Sequence, residues 1–452
     1  MRLNFSLNRL RRRPDFLLFR QSVIRTEILA GVSTFLATMY IIVVNPSILS
    51  QAGLPFSGVL TATVLLSFFC SLMMGLYARN PIVVAPGMGL NAFFTFSAVK
   101  TLGIRPEVAL GAVFWAGVLF LLLSVTNVRT GIVRLIPKPL RYAVSAGIGL
   151  FITLIGLENA RFIVGNPATL VSVASFQDPL VLTFIAGLLL TSVLVVRRVP
   201  GGIILGIILT TVAAWPIGRW WGDASAVTGG LPTLVNVNGL LSAPDFSLIG
   251  RLDLVNSLQW SLWPVIFAFV FTDLFDSLST FVGVAEASGL YDDNGEPQHL
   301  NRSLLTDAVA TALAGWLGTS PGTAYIESAV GISQGGRTGL TAVVGGTLFL
   351  PFLFLSPLLS VIPAIATAPS LVLVGAFMMQ PITRINWQEL DEAVPAFLAL
   401  VLIPFSYSIT QGIIWGFLSW TVIKVAVGKY RDVPAGLWVV DVFCILSLAT
   451  GH

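Results

Sequence analysis

Long apolar runs separated by short polar breaks make up most of this chain. A helix needs about 20 mostly apolar residues to cross the hydrocarbon core of a bilayer. The runs therefore predict fourteen membrane-spanning segments, at residues 27–49, 58–77, 81–99, 107–125, 139–157, 179–196, 200–219, 260–285, 302–318, 321–335, 337–357, 364–381, 391–409 and 411–428. A shorter apolar stretch at 434–449 is expected to lie in the membrane interface or to pack on the bundle.

The polar stretch at 220–259, rich in Gly, Pro, Ser and Asn, divides the spans into two sets. Seven spans occupy residues 27–219 and seven more occupy 260–428, between a basic tail at 1–26 and a C-terminal tail at 429–452. Because seven is odd, the second set starts from the opposite side of the membrane. The arrangement is that of an inverted repeat, a common plan for transporters.

Two short spans are interrupted at matching positions, as the third span of each set. The segment 81–99 contains Pro86 and Gly87, and the segment 321–335 contains Pro321 and Gly322. A pair of Gly- and Pro-interrupted spans in corresponding positions is the best sequence indication of a transporter binding site.

The composition agrees with a protein that lies mostly in lipid. Of the 452 residues 55% are apolar and only 10% are charged, against about 25% charged in a typical soluble domain. These values exclude a soluble enzyme, a disordered chain and a nucleic-acid binder. The two cysteines lie far apart in apolar runs, so the sequence offers neither a disulfide framework nor a metal-ligand spacing, and no cofactor is expected.

Lysine and arginine predict the orientation, because cytoplasmic loops carry an excess of both. With the arginine-rich N-terminal tail inside, the outer loops collect only five of the 25 basic residues, namely Lys100, Arg105, Arg161, Arg219 and Arg251. The even number of spans then places both termini in the cytoplasm.

Four acidic residues lie well inside predicted spans of the second set, away from the span ends: Asp273, Asp276, Asp307 and Glu327. A carboxylate at mid-bilayer is costly, and such residues commonly mark a substrate or proton pathway. Asp276 lies mid-span, with Asp273 three residues earlier on the same helix face. Asp307 is either a proton relay or a buried anchor, and Asp273 is either functional or a buried link between helices.

Glu327 is expected in the first turn of a half-helix that begins near Ile326, where unpaired backbone N–H groups can also contact a ligand. In the matching first-half segment, Asn91 is expected to cap or open the half-helix and to bond a ligand. Phe93 and Phe94 are candidates to stack on a flat ligand, although aromatic residues in membrane helices more often serve packing.

Four motifs in this order resemble the azaguanine-resistance-type purine permeases, a branch of the nucleobase:cation symporter-2 family. They are GVSTFLATMYIIVVNP (31–46), APGMGLNAFF (85–94), DLFDSLST (273–280) and TAYIES (323–328). The resemblance extends from about residue 20 to 430. One departure is Ser279, which stands in a stretch where the family pattern has Thr-Gly-Thr.

The resemblance implies an all-α membrane protein of fourteen spans in two inverted repeats, arranged as a core and a gate domain. Spans three and ten would each contain a short strand and a half-helix, with a purine base held between them and span eight. It assigns base binding to Asp276 and Glu327, a functional position to Asn91 and an acid needed for activity to Asp307. Aspartate rather than glutamate at 276 matches the adenine, guanine and hypoxanthine branch.

We therefore expect a proton-coupled purine importer in the plasma membrane or bacterial inner membrane. Its partners would be the base, the co-transported proton and the lipid, with a homodimer as one option. Asp276 and Glu327 are both candidates to carry the proton. A xanthine or uracil carrier, or an inorganic-anion carrier on the same fold, remains an alternative, although an anion carrier would favour positive charge at its site. The sequence contains none of the motifs of an intramembrane enzyme. A channel is also disfavoured, because channels seldom combine buried acidic residues with two repeats.

Overall fold

The computed structural model describes residues 14–125, 137–225, 232–236, 239–291 and 297–449. The first half of the basic N-terminal tail, residues 1–13, lies outside this part of the chain. So do parts of three polar connections, among them the predicted cytoplasmic loop that contains Arg129 and Arg134.

Helices dominate both halves of the described chain. The first half contains α1 (Pro14–Thr38), α2 (Ile41–Leu49), α3 (Phe56–Leu76), β1 (Val84–Pro86), α4 (Met88–Ala92) with a π-helical continuation (Phe93–Thr101), α5 (Pro106–Val125), α6 (Lys138–Asn159), β2 (Ile163–Asn166), β3 (Leu170–Val173), α7 (Pro179–Val196) and α8 (Gly202–Ala214). Strands β2 and β3 form an antiparallel hairpin that the sequence pattern did not predict.

The second half repeats the plan after the long polar loop. It contains α9 (Trp263–Ser288), α10 (Leu300–Leu317), β4 (Gly322–Ala324), a 3₁₀ turn (Ile326–Ser328), α11 (Ala329–Ser333), α12 (Gly339–Thr347), a 3₁₀ segment (Leu350–Phe354), α13 (Ser356–Leu359), α14 (Ala364–Met378), a 3₁₀ segment (Gln380–Arg384), α15 (Leu390–Phe405), α16 (Ile409–Ala426) and α17 (Ala435–Ala449).

These elements confirm the predicted fourteen-segment plan within the described chain. Eight helical segments are long and apolar enough to cross a membrane, and Gly202–Ala214 and Gly339–Phe354 are shorter apolar helices. Two more spans, α10 and α15, contain charged or proline residues, and the remaining two are the interrupted spans three and ten. The first helix begins at Pro14, well before the predicted span at 27.

The helices pack in two groups. One group contains α1 to α5 with α9 to α12, and the other contains α6 to α8 with α14 to α16. Each group takes elements from both halves of the chain, which is the core and gate arrangement of the inverted-repeat fold. The apolar helix α17, which the sequence placed either in the interface or on the bundle, packs against α16, where Thr421 donates a 2.5 Å hydrogen bond to Asp441.

Large apolar side chains cover the outward faces of several helices. Val196 is 81% exposed and Val212 and Val422 are each 64% exposed. Apolar surface of this extent suits contact with lipid rather than water, and the protein is a multi-pass integral membrane protein.

The long polar loop is held against the start of α5. The backbone N–H of Asp253 donates to the Glu107 carbonyl over 2.9 Å, and Arg105 Nη2 lies 3.2 Å from Asp253 Oδ2. Hydrogen bonds from Asn256, with the Arg105 charge, hold the pKa of Asp253 below its usual range. The loop end that leads into α9 is thereby fixed at the same membrane face as the start of α5.

Glycine permits the close crossing of α5 and α10. A Cβ atom added at Gly117 would lie 2.1 Å from the backbone nitrogen of Ala312, and one added at Gly315 would lie 2.6 Å from that of Phe114. Small residues at helix crossings let backbones approach closely in membranes.

Gly117→Ala is therefore expected to lower the free energy of unfolding by about 1–3 kcal/mol, because a backbone atom cannot move aside as a side chain can. Thermal melting followed by size-exclusion chromatography measures the change. Gly165→Ala in the β2–β3 hairpin is the matched control, since nothing lies within 4 Å of its added Cβ. Equal melting of the two variants would contradict the close crossing.

Candidate functional site

Two short strands meet in the middle of the first helix group. Strand β1 pairs with β4 antiparallel, with Val84 opposite Ala324 and Pro86 opposite Gly322. The Gly87 N–H donates to the Pro321 carbonyl over 2.9 Å, which extends the ladder by one bond. The prolines and glycines that interrupt both spans keep the backbone extended here, and the half-helices begin directly after the strands.

Asp276 lies at the middle of α9 and faces a narrow cavity between the two helix groups. The first group contributes Gly89 of α4 with Thr272, Phe275 and Asp276, while the second contributes residues of α6 and α14. The cavity is small: the volume open to the centre of a water molecule is about 10 Å³, which is room for roughly one water. A larger ligand therefore requires the two helix groups to separate.

Glu327 lies in the 3₁₀ turn that follows β4, where the sequence predicted the start of a half-helix. The hydroxyl of Tyr40 donates a 2.7 Å hydrogen bond to Glu327 Oε1. The turn that contains Glu327 packs against α9, the helix that contains Asp276. The structure thus brings together the two acids that the sequence singled out as ligand contacts.

Tyr40 was not anticipated from the sequence. It occupies the break between α1 and α2, where the regular helix is interrupted, and it is almost fully buried. The adjoining α2 also contains Asn45, whose amide donates to the hydroxyls of Thr63 and Thr319 over 2.8 Å each. The sequence signals that could have identified these residues are a tyrosine and an Asn-Pro pair inside an otherwise apolar run.

Asp273 and Asp307 form a second acidic cluster behind the cavity. Thr311 donates to Asp273 Oδ2 and Ser277 donates to Asp307 Oδ2. The Ser277 and Thr323 hydroxyls lie 2.7 Å apart, so the cluster reaches strand β4.

Both aspartates are fully buried, and the second oxygen of each has no hydrogen-bond partner in the described chain. Two buried carboxylates without a paired cation are unfavourable as anions. The cluster is therefore chemically suited to hold a proton.

The prediction that Asn91 caps its half-helix is wrong. Gly87 occupies the N-cap position and Asn91 is the fourth residue of α4, because the extended chain turns into the helix already at Met88. The Asn91 side chain is fully buried, its amide nitrogen lies 3.7 Å from Met88 Sδ, and its carbonyl oxygen has no hydrogen-bond partner among the described residues.

The remaining candidates lie away from the lining of the cavity beside Asp276. Phe93 and Phe94 are fully buried, and the Phe93 ring contacts Phe269 with centroids 4.6 Å apart. Ile326 is 46% exposed. In this conformation the two phenylalanines serve packing between α4 and α9.

Paired interrupted spans with acids at their crossing, in a bundle of two interlocked helix groups, define a membrane transporter rather than an enzyme. The chain belongs to the Permease family, whose profile, Xan_ur_permease, matches residues 25–414. It is 42% identical over 426 residues to adenine permease AdeP of Escherichia coli (strain K12), covering 94% of this chain and 92% of that protein.

A second relative and a solved structure extend the comparison. Guanine/hypoxanthine permease PbuO of Bacillus subtilis (strain 168) is 41% identical over 431 residues, covering 94% of this chain and 97% of that protein. The transmembrane domain of the cyanobacterial bicarbonate transporter BicA superposes with a TM-score of 0.60 at 16% identity, covering 87% of this chain and 97% of that domain. The last likeness concerns the fold alone.

Proposed function

We propose that this protein imports purine nucleobases, namely adenine, guanine or hypoxanthine, together with protons by alternating access. The observation that carries the proposal is the placement of two acids on neighbouring elements: Asp276 lines the cavity between the two helix groups, and Glu327 lies in the 3₁₀ turn that packs against the same helix, α9. The similarity to adenine permease AdeP and to guanine/hypoxanthine permease PbuO supports a purine as the substrate. Both termini would lie in the cytoplasm, in the plasma membrane or the bacterial inner membrane.

The chemistry of the two acids suits a purine. A purine presents N–H donors on its edge, and a carboxylate accepts one or two of them in a plane. A hydrogen bond to a charged acceptor is shorter and stronger than a neutral one. In this arrangement Asp276 and Glu327 would receive donors from different parts of the base.

Proton coupling would use the cluster behind the cavity. Asp273 and Asp276 lie three residues apart on α9, and Asp307 bonds through Ser277 to β4, the strand that precedes Glu327. A proton bound to Asp273 or Asp307 would leave one buried anion in place of two and so lower the cost of burial. Loss of that proton to the cytoplasm would then accompany the return of the empty carrier.

The direct test is uptake of radiolabelled adenine, guanine, hypoxanthine, xanthine and uracil into cells that lack their own permeases, with and without a protonophore. Saturable uptake of one or more of the first three, abolished by the protonophore, is the expected result. Uptake of xanthine or uracil alone would overturn the substrate assignment. No uptake of any base by protein shown to reach the membrane would favour an anion carrier of the BicA type.

Tyr40→Phe is expected to raise the KM for the base about fivefold while the maximal rate changes little. The hydroxyl orients Glu327 through one oxygen, and a hydrogen bond of this kind contributes about 1 kcal/mol. Initial rates of uptake over a range of base concentrations measure the effect. Tyr77→Phe, at an exposed position on α3's C-terminal end, is the control, and an unchanged KM in Tyr40→Phe would remove the positioning role.

A further inference from the structure

A second cavity lies at one end of the second helix group, apart from the cavity beside Asp276. Its volume is about 460 Å³; it is open to one side and is lined by the start of α6, the connection from α14 to α15, the first turn of α15 and the last turns of α16. This volume falls in the range of small-molecule sites. The distribution of lysine and arginine assigns this end of the protein to the cytoplasm.

A buried lysine forms the inner wall of this cavity. Lys424 is only 3% exposed, and its Nζ lies 2.8 Å from Asp391 Oδ2 and 4.8 Å from the centre of the Trp420 ring. Lys429 contacts the same Asp391 oxygen over 2.8 Å. Asp391 is thereby shared by two lysines, and Glu392 Oε1 also lies 3.8 Å from Lys424 Nζ.

The rest of the wall adds cations and aromatic surface. Two exposed basic residues, Lys138 and Arg384, line the rim of the cavity. Two acidic residues, Glu392 and Asp432, line it as well. With Lys424 the lining carries three positive and two negative side chains. The indole N–H of the buried Trp420 has no hydrogen-bond acceptor among the described residues, so an acceptor supplied by a ligand would satisfy it.

We propose that this cavity binds a phosphate ester, with the phosphate between Lys138, Arg384 and Lys424. Arginine binds phosphate through two parallel hydrogen bonds and lysine binds it as a point charge, and basic pockets between membrane helices on the cytoplasmic side bind acidic lipid head groups. The phosphate would come either from an acidic lipid or from a soluble phosphate compound. Since the cavity joins α6, α15 and α16, occupancy would hold these three helices together. The proposal is independent of the transported substrate.

The test compares two sources of phosphate on the whole protein in nanodiscs. In one arm neutral phosphatidylcholine is mixed with increasing phosphatidylglycerol. In the other arm inorganic phosphate or adenosine monophosphate is added to pure phosphatidylcholine discs at constant ionic strength. Thermal midpoint and native mass spectrometry report binding. A rise in midpoint with retained lipid in the first arm identifies a lipid head group, and a rise in the second identifies a soluble phosphate.

The double variant Lys138→Gln/Arg384→Gln is expected to weaken the binding at least about tenfold, because each basic residue near the surface contributes to the attraction. Arg79→Gln/Arg197→Gln removes the same charge from exposed positions at the same end of the protein, outside the cavity, and is expected to bind as the wild type does. Unaltered binding by the first double variant, or no binding by the wild type in either arm, would overturn the proposal.

Discussion

Asp276→Asn and Glu327→Gln, each made alone, are expected to abolish saturable purine uptake while the protein still reaches the membrane. Each change keeps the shape of the side chain but replaces one of two acceptor oxygens with an NH₂ donor. An N–H of the base would then face a donor, and a polar group left unsatisfied in a buried site costs about 1–3 kcal/mol. The lost charge weakens the remaining bond further, so the apparent affinity should fall by about a hundredfold or more.

Initial rates of uptake, normalised to surface expression, measure this loss. Glu107→Gln is a suitable control, because Glu107 is an exposed acid in the first turn of α5, far from the cavity in the fold. The control is expected to transport as the wild type does. Undiminished transport by both Asp276→Asn and Glu327→Gln would remove these acids from the binding site, whatever the identity of the substrate.

Most of the fold could be predicted from the apolar runs of the sequence and from the prolines and glycines that interrupt them. The apolar runs predicted the fourteen segments because the thickness of the bilayer fixes the length of a span. The interruptions at Pro86 and Pro321 predicted breaks in spans three and ten, because proline and the following glycine oppose a helix, and the family resemblance implied the short strands there. Carboxylates inside apolar runs stand out for the same physical reason, their cost in lipid.

Contacts between distant parts of the chain could not be predicted from the sequence. Tyr40 and Glu327 are 287 residues apart, and only the crossing of the α1–α2 break with span ten brings the hydroxyl to the carboxylate. The N-cap of α4 was misassigned because asparagine is a strong capping residue, whereas the extended Gly87 already starts the helix. The basic cavity at Lys424 was missed because its wall comes from α6, α15 and α16, which are separated in sequence.

Asp307→Asn is expected to separate base transport from proton coupling. Asparagine resembles a permanently protonated aspartate in shape and charge, and it retains an oxygen that can accept the hydrogen bond from Ser277. Binding of the base and exchange of bound for free base need no change in protonation and should persist. Accumulation driven by a pH gradient requires the cluster to release its proton, and it should be lost.

Proteoliposomes distinguish these two activities in one preparation. Counterflow of labelled base against excess unlabelled base reports binding and alternating access, and uptake under an imposed pH gradient reports coupling. Asp307→Asn should keep the first and lose the second, whereas Asp276→Asn should lose both. Asp307→Glu, which restores a titratable carboxyl, should recover part of the gradient-driven uptake. Retention of full gradient-driven accumulation in Asp307→Asn would place the proton elsewhere, and Asp276 or Glu327 would then have to carry it while binding the base.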